Sequence, residues 1–388
     1  MLVKSPLKVP TPAFMTEELF SFGDSVERFF EREVIPRVDT WEHEGAIDRE
    51  IWHKAGASGL LMVSAPEEYG GMGGSFAHEA VLLDVLGRCG ADNWGLPIQN
   101  VVFAPYVLKY ATEAQKREWI PALASGDLIG AISMTEPNAG SDLQQIRMRA
   151  RLEGDHYVLT GQKMFCTHGN TGNLIMVAAK TDVTEGAKGV SLFFVEVDKV
   201  EGFRRGQKLD KIGLKGQDTT GLFFDDVRVP IGNLLGGVEG QGFGQMMECL
   251  AQERLLIGVQ AMAMIEHALA VTLDYVKQRE AFGKRIIDFQ NSQFKLAECV
   301  TEATAAKVFV NHCIERHLSG TLDAVTAAMV KWWLSDMQCR IVDECLQLHG
   351  GYGYINDYPI ARMYRDARIQ KIYGGTNEIM KVVIGRSL

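Results

Sequence analysis

Tyr157-Val158-Leu159-Thr160, Leu174-Ile175-Met176-Val177-Ala178 and Ser191-Leu192-Phe193-Phe194-Val195 are three short β-rich runs. They decide the fold class through what flanks them. Gly and Asp punctuate the runs at spacings that suit a small antiparallel sheet or barrel. Gly221-Leu222-Phe223-Phe224-Asp225-Asp226-Val227-Arg228-Val229-Pro230 reads as the last strand and its exit. Upstream, residues 14 to about 128 read as mostly helical. Thr16 to Val34 carries apolar residues at helical spacing, with Thr16 placed to cap. Downstream of about Gly242, stretches with few glycines over 243–279, 288–318 and 322–349 suit an antiparallel bundle with short connections. Helices, sheet, helices, with no βαβ alternation, argues against a doubly wound sheet. The expectation is an α+β chain: an N-terminal helical domain (1–128), a middle β-barrel-like domain (129–237) and a C-terminal helical bundle (238–388).

The chain has 388 residues, enough for roughly two to three domains. At 46% hydrophobic and 23% charged it has the composition of a globular protein rather than a disordered or collagen-like one. No uninterrupted run of about 18 apolar residues is seen, which argues against a membrane span. A formal charge of −9 argues against a non-specific nucleic-acid binder, which needs a basic face to replace counterions. It leaves room for a local basic pocket. Seven cysteines, an odd number with no C-x-x-C pair, read as free thiols in a reducing compartment. Met1 to Pro12 has no apolar core of a targeting peptide, so a cytoplasmic, bacterial protein is expected. The run Gly70-Gly71-Met72-Gly73-Gly74 lacks a following Lys-Ser/Thr and a preceding strand. It reads as a structural turn rather than a phosphate loop.

Chemistry concentrates in five blocks. Met134-Thr135-Glu136-Pro137-Asn138-Ala139-Gly140-Ser141-Asp142 is a Pro/Gly-shaped loop with hydroxyls and exposed backbone N–H groups. It suits the polar rim of a flat heteroaromatic or an anion, and read alone suits a capped turn equally. In Gly161-Gln162-Lys163-Met164-Phe165-Cys166-Thr167-His168-Gly169, Phe165 and Thr167 would share one strand face. Phe165 could stack on a ring while Thr167 bonds its edge; otherwise Phe165 is core. In Arg279-Glu280-Ala281-Phe282-Gly283, with Gln290 following, Arg279 could pair with a pyrophosphate and Phe282 could cover an adenine; a solvated Arg is the default. Gln347-Leu348-His349-Gly350-Gly351-Tyr352-Gly353 is a glycine-dense helix end where backbone can approach a ligand. Ile372-Tyr373-Gly374-Gly375-Thr376-Asn377-Glu378-Ile379 reads as a loop entering a short helix, whose N-terminus suits polar ligand oxygens.

Together, in this order and at these separations, the blocks resemble the acyl-CoA dehydrogenase family over nearly the whole chain. Gln252-Glu253-Arg254-Leu255, Tyr275-Val276-Lys277-Gln278-Arg279 and Tyr373-Gly374-Gly375-Thr376-Asn377-Glu378-Ile379-Met380 look most like its long-chain branch. The resemblance implies the fold of that family and FAD between the β and C-terminal helical parts. It also implies a homotetramer (a dimer of dimers) and electron-transfer flavoprotein as acceptor. Met134, Thr135, Gly140, Ser141, Phe165 and Thr167 would contact the flavin. Arg279, Phe282, Gln290, Gln347 and Gly351 would hold the adenosine diphosphate arm across a subunit interface. Thr376 and Glu378 would complete the cofactor site. Ser141, Phe243, Arg254, Tyr373, Gly374 and Gly375 would face the acyl-CoA. No metal is expected.

Most family members carry the catalytic Glu where this chain has Gly374. The resemblance then places the base on an upstream helix, at Glu253, as in the long-chain and isovaleryl branches. Gly374 would clear the space Glu253 must enter and offer its N–H to the thioester oxygen. A surface ion pair with Arg254 is the alternative fate of Glu253. Glu378 and Glu136 are weaker candidates, with cofactor and loop roles. The expected reaction is α,β-dehydrogenation of an acyl-CoA to the trans-2-enoyl-CoA, on a medium- to long-chain or branched acyl group. Asn93-Trp94-Gly95-Leu96-Pro97-Ile98 would line the acyl pocket. The competing readings are an acyl-CoA oxidase using O2 and a flavin-binding relative without turnover.

Overall fold

Thr16 starts the first helix: its hydroxyl accepts from Leu19 N at 3.3 Å. Leu19, Phe22, Val26 and Phe29 then follow buried at three- and four-residue steps. The computed structural model describes residues 2–388. Six α-helices precede the sheet: α1 (Glu17–Phe29), α2 (Val38–Glu44), α3 (Arg49–Ala57), α4 (Phe76–Arg88), α5 (Ala104–Tyr110) and α6 (Glu113–Ser125). The glycine run before α4 is a packed turn. Gly73 and Gly74 donate to the carbonyls of Ala65 and Val63 at 2.8 and 2.9 Å, so those amides are engaged within the fold.

Seven strands follow: β1 (Gly130–Ser133), β2 (Arg149–Glu153), β3 (His156–Thr167), β4 (Leu174–Lys180), β5 (Val190–Glu196), β6 (Phe203–Lys208) and β7 (Thr219–Pro230). The three quoted runs lie in β3, β4 and β5, and the expected last strand is β7. The purely antiparallel expectation needs correction. The order is β1-β4-β2-β3-β7-β6 with β5 on β4, and β4 runs parallel to β1 and, at one residue pair, to β2. The reason is connection length. Between β1 and β4 the chain makes the whole β2–β3 hairpin, long enough to return in the same direction. The strand path has two ends, so the sheet is curled rather than a closed barrel. β4 and β5 are buried on both faces, between the sheet's own core and aromatic residues of the first helical layer such as Phe103 and Trp119.

The C-terminal part is built on α7 (Gly242–Gln278), with 37 residues about 55 Å long. A short hairpin, β8 (Glu280–Ala281) and β9 (Lys284–Arg285), leads to α8 (Gln290–Leu318), α9 (Ala324–His349), α10 (Pro359–Ala367) and α11 (Asn377–Gly385). Gly258 lets α9 approach, since a Cβ there would stand 2.7 Å from Val330 Cγ2. The run-length argument against a membrane span also needs correction. α7 is long and apolar enough by length and composition to cross a bilayer; polar residues such as Gln260 and Glu266 interrupt the run and hid it. Nearly all of that window is buried against protein, which makes α7 the core helix of this fold.

Candidate active site

Glu253 lies on α7 and is 9% exposed. Its Oε1 accepts from Tyr106 Oη on α5 at 2.9 Å. Burial pushes its carboxyl up to about 7, against the opposing pull of the Tyr106 hydrogen bond and the Arg254 charge. The surface ion pair considered for Glu253 is not what forms. Arg254 is itself buried, and its Nε has no hydrogen-bond partner; burial lowers its guanidinium pKa from the usual value.

Glu253 opens onto a cavity of about 180 Å³ that all three parts of the chain line. Trp94, Pro97 and Ile98 come from the first helical layer, Thr167 and Gln217 from the sheet part, and Ile257, Gln260, Tyr373 and Gly374 from the last part. Gly374 has φ +65, and a Cβ there would stand 2.5 Å from Ile257 Cδ1. A Cβ at Gly374 would thus meet Ile257, one turn beyond Glu253, while Glu253 lines the same cavity as Gly374. The N–H of Gly374 donates to no backbone or side-chain acceptor among the described residues. Lys331 fixes the turn from α9: its buried ammonium donates to Gly375 O at 2.7 Å and Asn377 Oδ1 at 2.9 Å. Thr376 caps α11 through Ile379 N at 3.4 Å. Glu378 is exposed on the first turn of α11, where backbone N–H and Thr376 hold its carboxyl below the usual range.

The first two blocks lie side by side. Met164 N donates to Thr135 O at 2.8 Å and Lys163 Nζ to Met134 O at 3.1 Å. Glu136 accepts from Lys163 at 2.9 Å and from the N–H groups of Arg147 and Met148 at 2.7 and 3.0 Å. Its carboxylate is thus a structural anchor of the loop. Gly140 and Ser141 are exposed at the tip. Phe165 is exposed, Cys166 buried and Thr167 half-buried, so burial alternates across these three residues although β3 is irregular just before them. A register shift between Lys163 and Cys166 inserts one extra residue opposite β7, and Phe165 takes φ +58. Phe165 projects outward, 63% exposed, instead of joining the core, while Thr167 reaches the Glu253 cavity.

Arg279, Gln347 and Gly351 line a second, larger cavity of about 610 Å³ with Tyr275 and Tyr352. Arg279 sits 5.6 Å from the Tyr352 ring centroid, a cation–π contact rather than free solvation. Phe282 and Gln290 stay outside it. Phe282 has φ +51 and is 96% exposed at the tip of the β8–β9 hairpin, and Gln290 is exposed at the start of α8. Phe243 and Arg254 do not line the Glu253 cavity. Phe243 is ten positions before Glu253 on α7, about 15 Å along the axis, and packs on the sheet core. Tyr106, Lys163, Lys331 and Gln217 escaped the sequence reading. A lysine inside an apolar helical stretch, Met329-Val330-Lys331-Trp332, was the available signal for one of them.

A buried carboxylate faces a cavity walled by two helical layers and a curled sheet, at the junction of three structural parts. The chain matches the family models for the acyl-CoA dehydrogenase N-terminal domain over residues 16–127, the middle domain over 131–227 and the C-terminal domain over 240–388. It is 44% identical to mitochondrial long-chain specific acyl-CoA dehydrogenase of Mus musculus over 369 residues, 95% of this chain and 85% of that one. It is 35% identical to mitochondrial isovaleryl-CoA dehydrogenase of Solanum tuberosum over 395 residues, 100% of this chain and 95% of that one. The crystal structure of acyl-CoA dehydrogenase from Geobacillus kaustophilus superposes with a TM-score of 0.95 at 44% identity, covering 97% of this chain and 99% of that one.

The chain belongs to the acyl-CoA dehydrogenase family and is an FAD-dependent oxidoreductase. Its surfaces fit that cofactor. The outward Phe165 ring and the exposed loop tip at Gly140 and Ser141 offer a stacking face and polar donors. The Arg279 cavity offers a cation beside glycine backbone, and a Cβ at Gly351 would meet nothing within 4 Å, so a ligand can approach closely.

Proposed function

We propose that this protein dehydrogenates an acyl-CoA thioester between its α- and β-carbons, with Glu253 as the base. The observation that carries the reading is the buried Glu253 carboxyl opening onto the cavity that Tyr373, Gly374 and Thr167 complete. A thioester α-carbon is a weak acid, so the chain must take the proton and stabilise the charge it leaves. Glu253 takes the proton on the oxygen that Tyr106 does not occupy. The free Gly374 N–H donates to the thioester oxygen as it gains charge. Tyr373 and Ile257 exclude water, which strengthens both interactions. FAD, when bound, supplies the acceptor for the hydrogen and electron pair that leave the β-carbon. Met134, Thr135, Gly140, Ser141, Phe165 and Thr167 would hold its ring end, and Arg279, Gln347 and Gly351 its diphosphate end. Phe282 and Gln290, exposed on one chain, would reach the cofactor of a second subunit in a homotetramer. Electron-transfer flavoprotein would then take the electrons.

Of the medium- to long-chain and branched alternatives, the cavity supports the compact, branched end. A cavity of about 150 Å³ holds one benzene molecule, so about 180 Å³ has room for roughly half a dozen carbons. Trp94, fully buried against Trp41 and Trp52, forms part of its wall. The test is kcat/KM across acyl-CoAs, where isovaleryl- and 2-methylbutyryl-CoA are expected to exceed palmitoyl-CoA. The reverse order would refute the compact-chain reading, and failure of every acyl-CoA to bleach the flavin would refute the dehydrogenase reading. Peroxide formed as fast as a dye is reduced would favour the oxidase reading instead.

The pH dependence follows from the same carboxyl. Only ionised Glu253 can accept the proton, and its pKa is raised to about 7. Activity is therefore full above that value and lost as pH falls through it. Anaerobic flavin reduction should be about tenfold slower at pH 6 than on the high-pH plateau. A rate independent of pH across that interval would contradict a base with this pKa.

A further inference from the structure

Tyr106 and Glu253 are 147 positions apart in sequence and meet only because α5 packs on α7. Tyr106 is fully buried, and its phenol donates to Glu253 Oε1 at 2.9 Å. The other oxygen, Oε2, has no hydrogen-bond partner among the described residues, and Glu253 lines the cavity. The carboxylate is thus pinned at one oxygen and open at the other.

We propose that Tyr106 is a positioning residue for the base: its hydroxyl orients the Glu253 carboxylate with the free oxygen available to substrate and stabilises the charged form. The proposal rests on Glu253 being the base. The titratable and charged groups around Glu253 are few. Arg254 and Cys249 share its helix, Tyr106 and Tyr110 face that region from α5, and Asp92 and Tyr373 line the same cavity. Lys109 and Tyr110 are engaged by Glu248 one turn earlier on α7. Only Tyr106 and Arg254 favour the carboxylate, and Arg254 makes no hydrogen bond to it. Glu253 stays buried when the phenol hydroxyl is removed, so desolvation persists while its one hydrogen bond is lost.

The test compares pH profiles of kcat/KM for the holoenzyme, Tyr106→Phe, and a chain carrying 3-fluorotyrosine at 106. The first variant should move the acid limb up by about one pH unit, and the fluorinated phenol, a stronger donor of nearly the same size, should move it down. KM should change less than kcat in both, since neither alters the cavity wall. Glu253→Gln/Tyr106→Phe should be no slower than Glu253→Gln alone, because the hydroxyl acts only through the carboxylate. If Tyr106→Phe does not fold, the fluorinated chain still decides. Acid limbs that match the holoenzyme, or a further loss in the double variant, overturn the proposal alone. Near-normal flavin reduction by Glu253→Gln overturns the base reading and this proposal with it.

Discussion

Glu253→Gln is expected to keep its FAD and its fold and to lose about 10²–10⁴-fold in flavin reduction by acyl-CoA, the range a positioned general base contributes. Glutamine matches glutamate in shape, and its carbonyl oxygen can still accept from Tyr106, now at 2.9 Å from Glu253 Oε1. The contact between α5 and α7 therefore survives. What is removed is basicity. The flavin spectrum and FAD content should equal those of the parent, while stopped-flow bleaching by substrate should nearly vanish. Bleaching at close to the parent rate would sink the assignment of Glu253. Attention would then turn to Asp92, the other carboxylate on that cavity.

Lys163→Met should have the largest effect on stability. Lys163 and Glu136 form an ion pair at 2.9 Å whose side chains are 0% and 4% exposed. Methionine fills the lysine stem's volume but leaves the Glu136 carboxylate buried beside only two backbone N–H groups. Stranding one member of such a pair costs about 3–5 kcal/mol. The loss is local as well as global, because Lys163 also ties β3 to the loop at Met134 O. FAD should therefore dissociate more readily, read as flavin absorbance per protein after gel filtration. Adding Glu136→Gln should recover part of the lost stability, since it removes the stranded charge, although its single amide oxygen can accept from only one of Arg147 and Met148, which donate to different oxygens of Glu136. Denaturation curves of the single and double variants check this. Equal stability of Lys163→Met and the parent would show that the pair contributes nothing.

Local information settled the elements. Thr16, Ser75 and Thr112 carry their own capping chemistry, and the β-branched runs of β4 and β5 read correctly because a strand buried on both faces is apolar throughout. Other features depended on partners. Whether β4 would lie parallel or antiparallel to β1 is a question of chain path, and no residue in either strand encodes it. The bulge at Phe165 shows the same limit. A two-residue period is a property of an ideal strand, and the inserted residue appears only in the pairing of β3 with β7.

The sequence alone determined that this is an α+β chain of helices, sheet and helices, with its glycine-dense turns and Glu253 as family landmarks. Motif positions are local, and they survive as patterns of residue type. Only the tertiary structure decided how those landmarks act. Burial raises the Glu253 carboxyl to about 7, Tyr106 reaches it from another part of the chain, Ile257 stands where a Cβ at Gly374 would go, and Trp94 joins the cavity wall. Desolvation, hydrogen-bond partners and cavity volume arise between segments distant in sequence, so they exist only once the three parts have packed together.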